Sequence, residues 1–458
     1  MDRFRWVFGA QRGNRQSYET LSDDRILTGR IRLRMLLAVV LAVPVSWLAR
    51  TLKSTEWRAH YRAASGTLPA WVPSPGFFAD VPAINMPEDV SPKFYQTNWS
   101  AHPFVMWGGG AQIAELDSFA VSASGHQPGG YNYQTTLLFD KAKLAWYARN
   151  SPAAANLETA ATGPGIAQNP DGTIAVPHTY NGLQYGPGSW FADKNPRLVV
   201  FGLAGGGPNI VVAKDLTKEQ GGYSYIVPDG VKFNQEPKGT YPITARWDKG
   251  RGWFFASGSA AYEEHIAFVT PDGKVDLTTF LDPTIKYGSS ALVMDEARQF
   301  LIAIIGGQRY LYNDPLRPNP HFNGIGILDL SAKPYVRSYT SYSGYLPLVQ
   351  PATGGDDRND PQRCGMVWAP ERDCIFGIDN NQTPPKLIRI TPPAGDRKIG
   401  VWTSTAETIT HLASDTSGSP TLVQPTNGIW NRLEWDGARD CLIYYAINTS
   451  KPQVIRPA

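Results

Sequence analysis

Apolar and polar positions alternate along this chain in short runs, and four of the runs share one pattern. They are Ala245–Phe255 (ARWDKGRGWFF), Leu292–Ile302 (LVMDEARQFLI), Met366–Phe376 (MVWAPERDCIF) and Leu433–Ile443 (LEWDGARDCLI). Each is a short strand ending in a large apolar residue (Trp247, Met294, Trp368, Trp435). A polar turn follows with an arginine four residues on (Arg251, Arg298, Arg372, Arg439), and a second strand begins seven residues on. Strand-like runs joined by a polar turn predict a β-hairpin, used four times. The hairpins recur at roughly 45 to 75 residues, the spacing of radially repeated sheets, since one small sheet cannot bury its faces alone. The pattern predicts an all-β chain folded as a β-propeller.

The other strands are placed by the same reasoning. Phe94–Asn98, Phe104–Gly108, Thr135–Phe139 and Leu144–Tyr147 are expected to make the first sheet, with a long insertion between the second and third that contains Gly125–Gly130. The second sheet runs from His178–Tyr185 through Leu198–Gly202 and Asn209–Ala213 to Tyr223–Val227. The third begins near Ile243, the fourth near Ser290, the fifth near Cys364 and the sixth near Asn431. That predicts six blades, and a seventh stays open because the loops at 150–175 and 345–362 have the length to hold further strands. The last segment supplies only three strands before Ala458. A strand within residues 80–97 is expected to complete it and close the ring.

Innermost strands converge on a narrow channel and call for small side chains. Counting back from the large apolar residue of each repeat gives Asn181 and Gly182, Ile243 and Thr244, Ser290 and Ala291, Cys364 and Gly365, and Asn431 and Arg432. Arg432 breaks the pattern. Beside a channel it has two readings, a bidentate binder of carboxylate or sulfate and a structural arginine satisfying blade carbonyls. The glycine runs Gly108–Gly110 and Gly205–Gly207 neither open a helix nor end in Gly-Lys-Ser/Thr, so they are read as blade turns needing positive φ rather than phosphate loops.

A different segment precedes the repeats. Met35–Ala49 (MLLAVVLAVPVSWLA) carries no charge and is flanked by Arg30, Arg32, Arg34, Arg50 and Lys53. As a helix it spans roughly 22 Å, reaching a ~30 Å hydrocarbon core only with Ile31, Leu33 and snorkelling arginines. A cleaved signal peptide fits the apolar length, but the leader is long and no small-x-small site follows; a soluble buried helix would have little room in a propeller. An uncleaved anchor is the preferred reading. Eight Arg against four acidic residues precede the run, which favours a cytoplasmic leader and a periplasmic or extracellular body, a contrast that Arg50, Lys53, Arg58 and Arg62 reduce. The proline-rich stretch Leu68–Ser91, with Trp71, Phe77 and Phe78, is read as a stalk or as a strap laid on the body. The expected organisation is a leader at 1–30, an anchor at 31–50, a stalk or strap at 51–92 and a propeller at 93–458.

Composition agrees. The 458 residues include 44 Gly, 37 Pro and 14 Trp, and only 18% are charged, a turn-rich chain with a large core and no long helices in its body. The formal net charge of +3 is close to neutral, and nothing in the body suggests nucleic-acid binding.

Trp107-Gly108-Gly109-Gly110 after an apolar strand, His178-Thr179-Tyr180 with Gly182-Leu183-Gln184-Tyr185 leading to Val200-Phe201-Gly202, and the recurring Trp-Asp-x-x-Arg turns resemble the bacterial kelch-like propellers of the galactose-oxidase superfamily. The resemblance covers roughly residues 90–458. It implies a propeller; because that family includes enzymes and glycan binders alike, it does not imply one function. A copper-radical site of the oxidase type takes His and Tyr ligands with a Cys crosslinked to one Tyr. Cys364, Cys374 and Cys441 all fall in blade strands, the latter two placed at the repeat position of Phe254 and Leu301, and are read as buried small hydrophobes. Cys364 lies out of register for a disulfide with Cys374. No copper-radical site, metal or other cofactor is expected.

The seven histidines are scattered without metal-ligand spacing. His178 is the best exception. It begins an innermost strand whose neighbours Tyr180 and Gln184 could reach an axial funnel. The sequence therefore points to a binding or scaffold module over a membrane complex, with two alternatives. One is a glycan binder using Tyr180, Gln184 and Arg432; the other is a glycan-active enzyme with His178 and Tyr180 as acid and base. Aromatic loops such as Tyr131–Tyr133 and Tyr339–Tyr345 suit protein partners or sugar rings equally.

Overall fold

The computed structural model describes residues 68–90, 108–122, 136–149, 179, 181–203, 209–219, 222–227, 242–257, 266–276, 291–305, 324–331, 333–345, 363–379, 382, 384–412, 421–423, 428–446 and 451–458. The chain divides into two units, Met1–Ala64, which lies outside the described residues, and Ser65–Ala458. The expected anchor falls in the former. Among the described residues no helix is long and apolar enough to cross a membrane.

The second unit is all-β and propeller-like. After β1 (Phe77–Asp80) come four-stranded antiparallel meanders, each with spatial order equal to chain order. The first comprises β2 (Gly110–Ile113), β3 (Ser118–Ser122), β4 (Thr136–Asp140) and β5 (Ala145–Ala148). The second has β6 (Leu183–Gly186), β7 (Arg197–Leu203), β8 (Asn209–Asp215) and β9 (Tyr223–Val227), and the third β10 (Pro242–Trp247), β11 (Gly252–Ser257), β12 (Ile266–Val269) and β13 (Val275–Asp276). An eight-stranded sheet follows. One half is β14 (Ala291–Asp295), β15 (Phe300–Ile305), β16 (Gly324–Asp329) and β17 (Val336–Gly344); the other is β18 (Val367–Ala369), β19 (Cys374–Asp379), β20 (Lys386–Thr391) and β21 (Trp402–Glu407). The halves join at their outer edges, where β17 and β21 run parallel with Tyr342 opposite Trp402. The closing sheet takes β22 (Thr410–His411), β23 (Leu433–Asp436), β24 (Cys441–Tyr444) and β25 (Gln453–Arg456), in the order β22-β1-β25-β24-β23.

Two strand placements differ from expectation. The first sheet starts at Gly110 and Ser118, not at Phe94 and Phe104; the apolar content of 104–107 drew the expectation, whereas the polar turn at Glu115–Asp117, with Asp117 at φ 41°, marks the hairpin. Residues 91–107 lie outside the described residues. The closing strand is Phe77–Asp80, antiparallel to β25, earlier than the 80–97 window, because Val81-Pro82 ends it: proline has no N–H for a ladder.

First strands of successive sheets touch in turn: β2 and β6, β6 and β10, β10 and β14, β14 and β18, β18 and β23, β23 and β2. The sheets therefore stand face to face around an axis, and both faces of each strand are covered. On β14 and β15, Leu292, Leu301 and Ala303 pack with Ile243, Trp247 and Phe254 of the preceding sheet. Val293, Ile302 and Ile304 on the opposite face pack with Trp368, Ile375 and Ile388 of the following one. Burial on both faces is why a strand such as Phe300–Ile305 reads as a continuous apolar run. It is also why the three cysteines are buried. Cys374 pairs with Ala369 and Cys441 with Asp436, which puts both at the place of Phe300 and Gly252 rather than of Phe254 and Leu301.

The arginine of the repeat links sheets. Arg372 donates in bidentate fashion to Asp440 of the next sheet, at 2.9 and 2.8 Å, and Arg439 to Asp117 of the first sheet, at 3.0 and 2.6 Å. Arg298 lies 3.3 Å from Asp373. The three acceptors hold the same turn position, left-handed at φ 41°, 52° and 50° for Asp117, Asp373 and Asp440, a conformation aspartate tolerates better than most residues. Arg251 does not fit this series. It is itself the left-handed residue of its turn (φ 54°), because Trp247 pairs with Gly252 where Asp295 pairs with Phe300, a shift of one residue against the sequence alignment.

Candidate functional site at the inner strands

Around the axis the first strands are tied by neutral hydrogen bonds. The Asn431 side chain accepts from the Gly110 N–H at 2.8 Å and donates to the Leu183 carbonyl at 2.7 Å, joining three sheets. Gln184 donates its amide to Thr244 Oγ1 at 2.9 Å. Thr244 donates in turn to the Asn181 carbonyl, and Asn181 bridges Ile243 in parallel. The Gly109 N–H donates to Thr179 Oγ1 at 2.9 Å. Gly110 is extended strand rather than a positive-φ turn, correcting the expectation for that run. Glycine is required there by close approach, because a Cβ would sit 2.1 Å from the Phe119 ring.

Arg432 is fully buried. Its Nε donates to the Ile429 carbonyl at 3.0 Å, and its two terminal nitrogens to the carbonyls of Ala446 and Gly428 at 2.7 and 2.6 Å. Burial pulls its pKa down to about 10, so it stays charged at neutral pH, its charge met by carbonyl dipoles. This is the structural-arginine geometry. It braces a strained segment: Trp430 is left-handed at φ 56°, costly for a bulky side chain and retained only where its surroundings impose it. The brace sets the backbone of Asn431, and Asn431 sets the first strands of two other sheets.

Of the residues singled out in the sequence, Gln184 and Arg432 are described and belong to different elements, β6 and the segment before β23. His178 and Tyr180 lie outside the described residues, as do the aromatics at 131–133. Cys364 is buried beside Tyr342 and Tyr345, whose pKa values burial raises. Among the described residues no group of His, Cys, Asp and Glu could hold a metal ion. A small recess between the third and fourth sheets has a mostly apolar lining that includes Ile266, Leu301 and Tyr339; its described residues offer no convergent polar set.

Sequence reasoning missed a second cluster, at the seam between first and closing sheets. Lys141, in the β4–β5 turn, is buried and donates to Glu434 Oε1 at 3.0 Å and Asp436 Oδ2 at 3.1 Å, with Asp117 Oδ1 at 3.4 Å. Burial works against the lysine's charge, but the carboxylates of Glu434, Asp436 and Asp117 outweigh it and raise its pKa. A signal was present: Glu434 and Asp436 stand two apart on one strand, hence on one face, and two carboxylates facing a neighbouring sheet need a cation there.

No family model matches the chain, and no curated protein matches it. Solved structures similar to it include a protein of unknown function from Bacteroides thetaiotaomicron, at 9% identity and TM-score 0.43 over 76% of this chain and 69% of that one. An α-L-arabinanase of Penicillium chrysogenum complexed with arabinobiose gives 10% and 0.40 over 77% and 92%. An auxiliary nutrient binding protein of Bacteroides ovatus gives 10% and 0.40 over 75% and 67%. Likenesses this distant carry no argument about what this chain does.

Proposed function

We propose that this chain is a membrane-anchored, extracytoplasmic β-propeller of six blades that serves as a binding or scaffold module, an accessory subunit held over a membrane complex. The observation that carries the reading is an asymmetry of connections. First-to-second strand turns are short, as at 248–251, 296–299, 370–373 and 437–440, and are locked to neighbouring sheets. Connections at the opposite ends of the same strands are long, as at 306–323, 345–366 and 149–182. A rigid body that gathers its long connections at one end is built to present a surface.

Six apolar clusters, each between consecutive sheets or halves of the eight-stranded sheet, support the blade count. The kelch-like assignment rests on the Trp-Asp-x-x-Arg turns, and the anchor at residues 31–50 on the apolar run and its arginine flank. Extraction in mild detergent followed by native gels should find the chain in one stoichiometric membrane assembly; a monomer would overturn the subunit reading. Protease added to spheroplasts should digest the body and spare an amino-terminal tag.

A second reading is favoured by Gln184, half-buried on the first strand of its sheet beside Thr244: a glycan bound at the axis through Tyr180 and Gln184. Arg432 acts as brace in this reading, not as ligand. Retention of the monomer on glycan arrays would support it. Turnover of a polysaccharide, lost in His178→Ala without a fall in melting temperature, would make the site catalytic.

A further inference from the structure

We propose that the seam between the first and closing sheets is a proton-sensitive latch, in which Glu434 holds a proton when the seam is tight and releases it as the pH rises. The argument begins with a charge count. Lys141 and Arg439 face three carboxylates, Asp117, Glu434 and Asp436. With every group ionised the seam carries one surplus negative charge, next to side chains withdrawn from water: Lys141, Glu434 and Asp436 are 2, 3 and 2% exposed. An unbalanced buried charge is relieved by taking up a proton.

The geometry selects the carboxylate that takes it. Asp436 accepts from Lys141 and from the Arg439 guanidinium, at 3.1 and 2.6 Å, and from the Arg439 N–H. Asp117 accepts both arms of Arg439 and is 44% exposed at its side chain. Glu434 has one cation, on Oε1, and its Oε2 is buried without a hydrogen-bond partner among the described residues. The other groups facing the seam are the Cys441 thiol and the Tyr445 hydroxyl, both pushed well up by burial and so uncharged near neutrality; Trp71 covers Arg439 from the strap.

Burial, with Asp436 adding to it and Lys141 opposing, raises the Glu434 carboxyl to about 7. Because this lies above the ordinary value of 4.5, the folded chain binds the proton more tightly than the unfolded chain. The stabilisation is complete below the ordinary value and is lost as the pH rises through about 7. Lys141 has its pKa raised and remains charged across that window.

The test is the melting temperature of the full-length protein from about pH 5.5 to about pH 8.5, compared with Glu434→Gln, so that histidines and other titrating groups cancel in the difference. Wild type should lose about 2–4 °C more than the variant across the window. Equal pH slopes for the two proteins would overturn the proposal. Should Glu434→Gln fail to fold, Asp117→Asn decides: asparagine keeps the left-handed turn, and loss of one negative charge should move the midpoint of the wild-type fall to lower pH. An unmoved midpoint would equally overturn the latch.

Discussion

The turn rim and the axis of this molecule meet one requirement, holding neighbouring sheets in register, by different chemistry. At the rim the ties are charged: Arg372 on Asp440 and Arg439 on Asp117, with side chains partly open to water. Around the axis they are neutral, Asn431 on Gly110 and Leu183 and Gln184 on Thr244, and the buried Arg432 faces carbonyls instead of a carboxylate. The difference follows solvent. A partly hydrated bidentate pair keeps some of its hydration and adds direction, whereas first strands that approach closely leave space for little beyond glycine, asparagine and threonine. Burial, more than charge, should then set how much each tie matters.

Four substitutions test that ordering by urea or thermal unfolding. Arg432→Ala should have the largest effect, a loss of about 3–5 kcal/mol, because it leaves buried carbonyls unpaired, opens a cavity and releases the strained Trp430. A loss no larger than that of an exposed rim variant would break the comparison. Arg439→Ala comes next at about 2–3 kcal/mol, since buried Asp436 then keeps Lys141 alone as cationic partner among the described residues. Asn431→Ala removes two hydrogen bonds, for about 1–2 kcal/mol, and should leave the response to salt unchanged. Arg372→Ala, whose pair is about one-third exposed on each side, should cost less than about 1 kcal/mol, and raising NaCl to about 0.5 M should shrink that difference further. A salt-independent effect at Arg372 would show that its methylenes, not its charge, hold the turn.

Part of this was legible in the chain and part was not, for reasons visible in particular residues. The repeated turn with its arginine announced the hairpins, and the starts of β8, β10 and β14 fall close to their expected places because apolar runs and polar turns are local signals. The arginine's partner could not be read. Arg372 and Asp440 stand 68 residues apart, and Arg439 and Asp117 stand 322 apart, so each pairing depends on which sheets become neighbours. The β2–β3 hairpin was missed because its strands are short and its glycine looks like a turn residue until the Phe119 ring is in place above it.

What the sequence determined by itself is the unit: a short antiparallel meander whose apolar positions on both faces demand a sheet on either side, repeated along a turn-rich chain. That follows from side-chain periodicity and turn chemistry, which act within a few residues. Only the tertiary structure decided the closure. It placed Phe77–Asp80 beside β25, gathered Lys141, Glu434 and Asp436 into one seam, and enclosed Arg432 among carbonyls. Those are properties of a ring brought back on itself, in which groups hundreds of residues apart must share a space from which water has been removed.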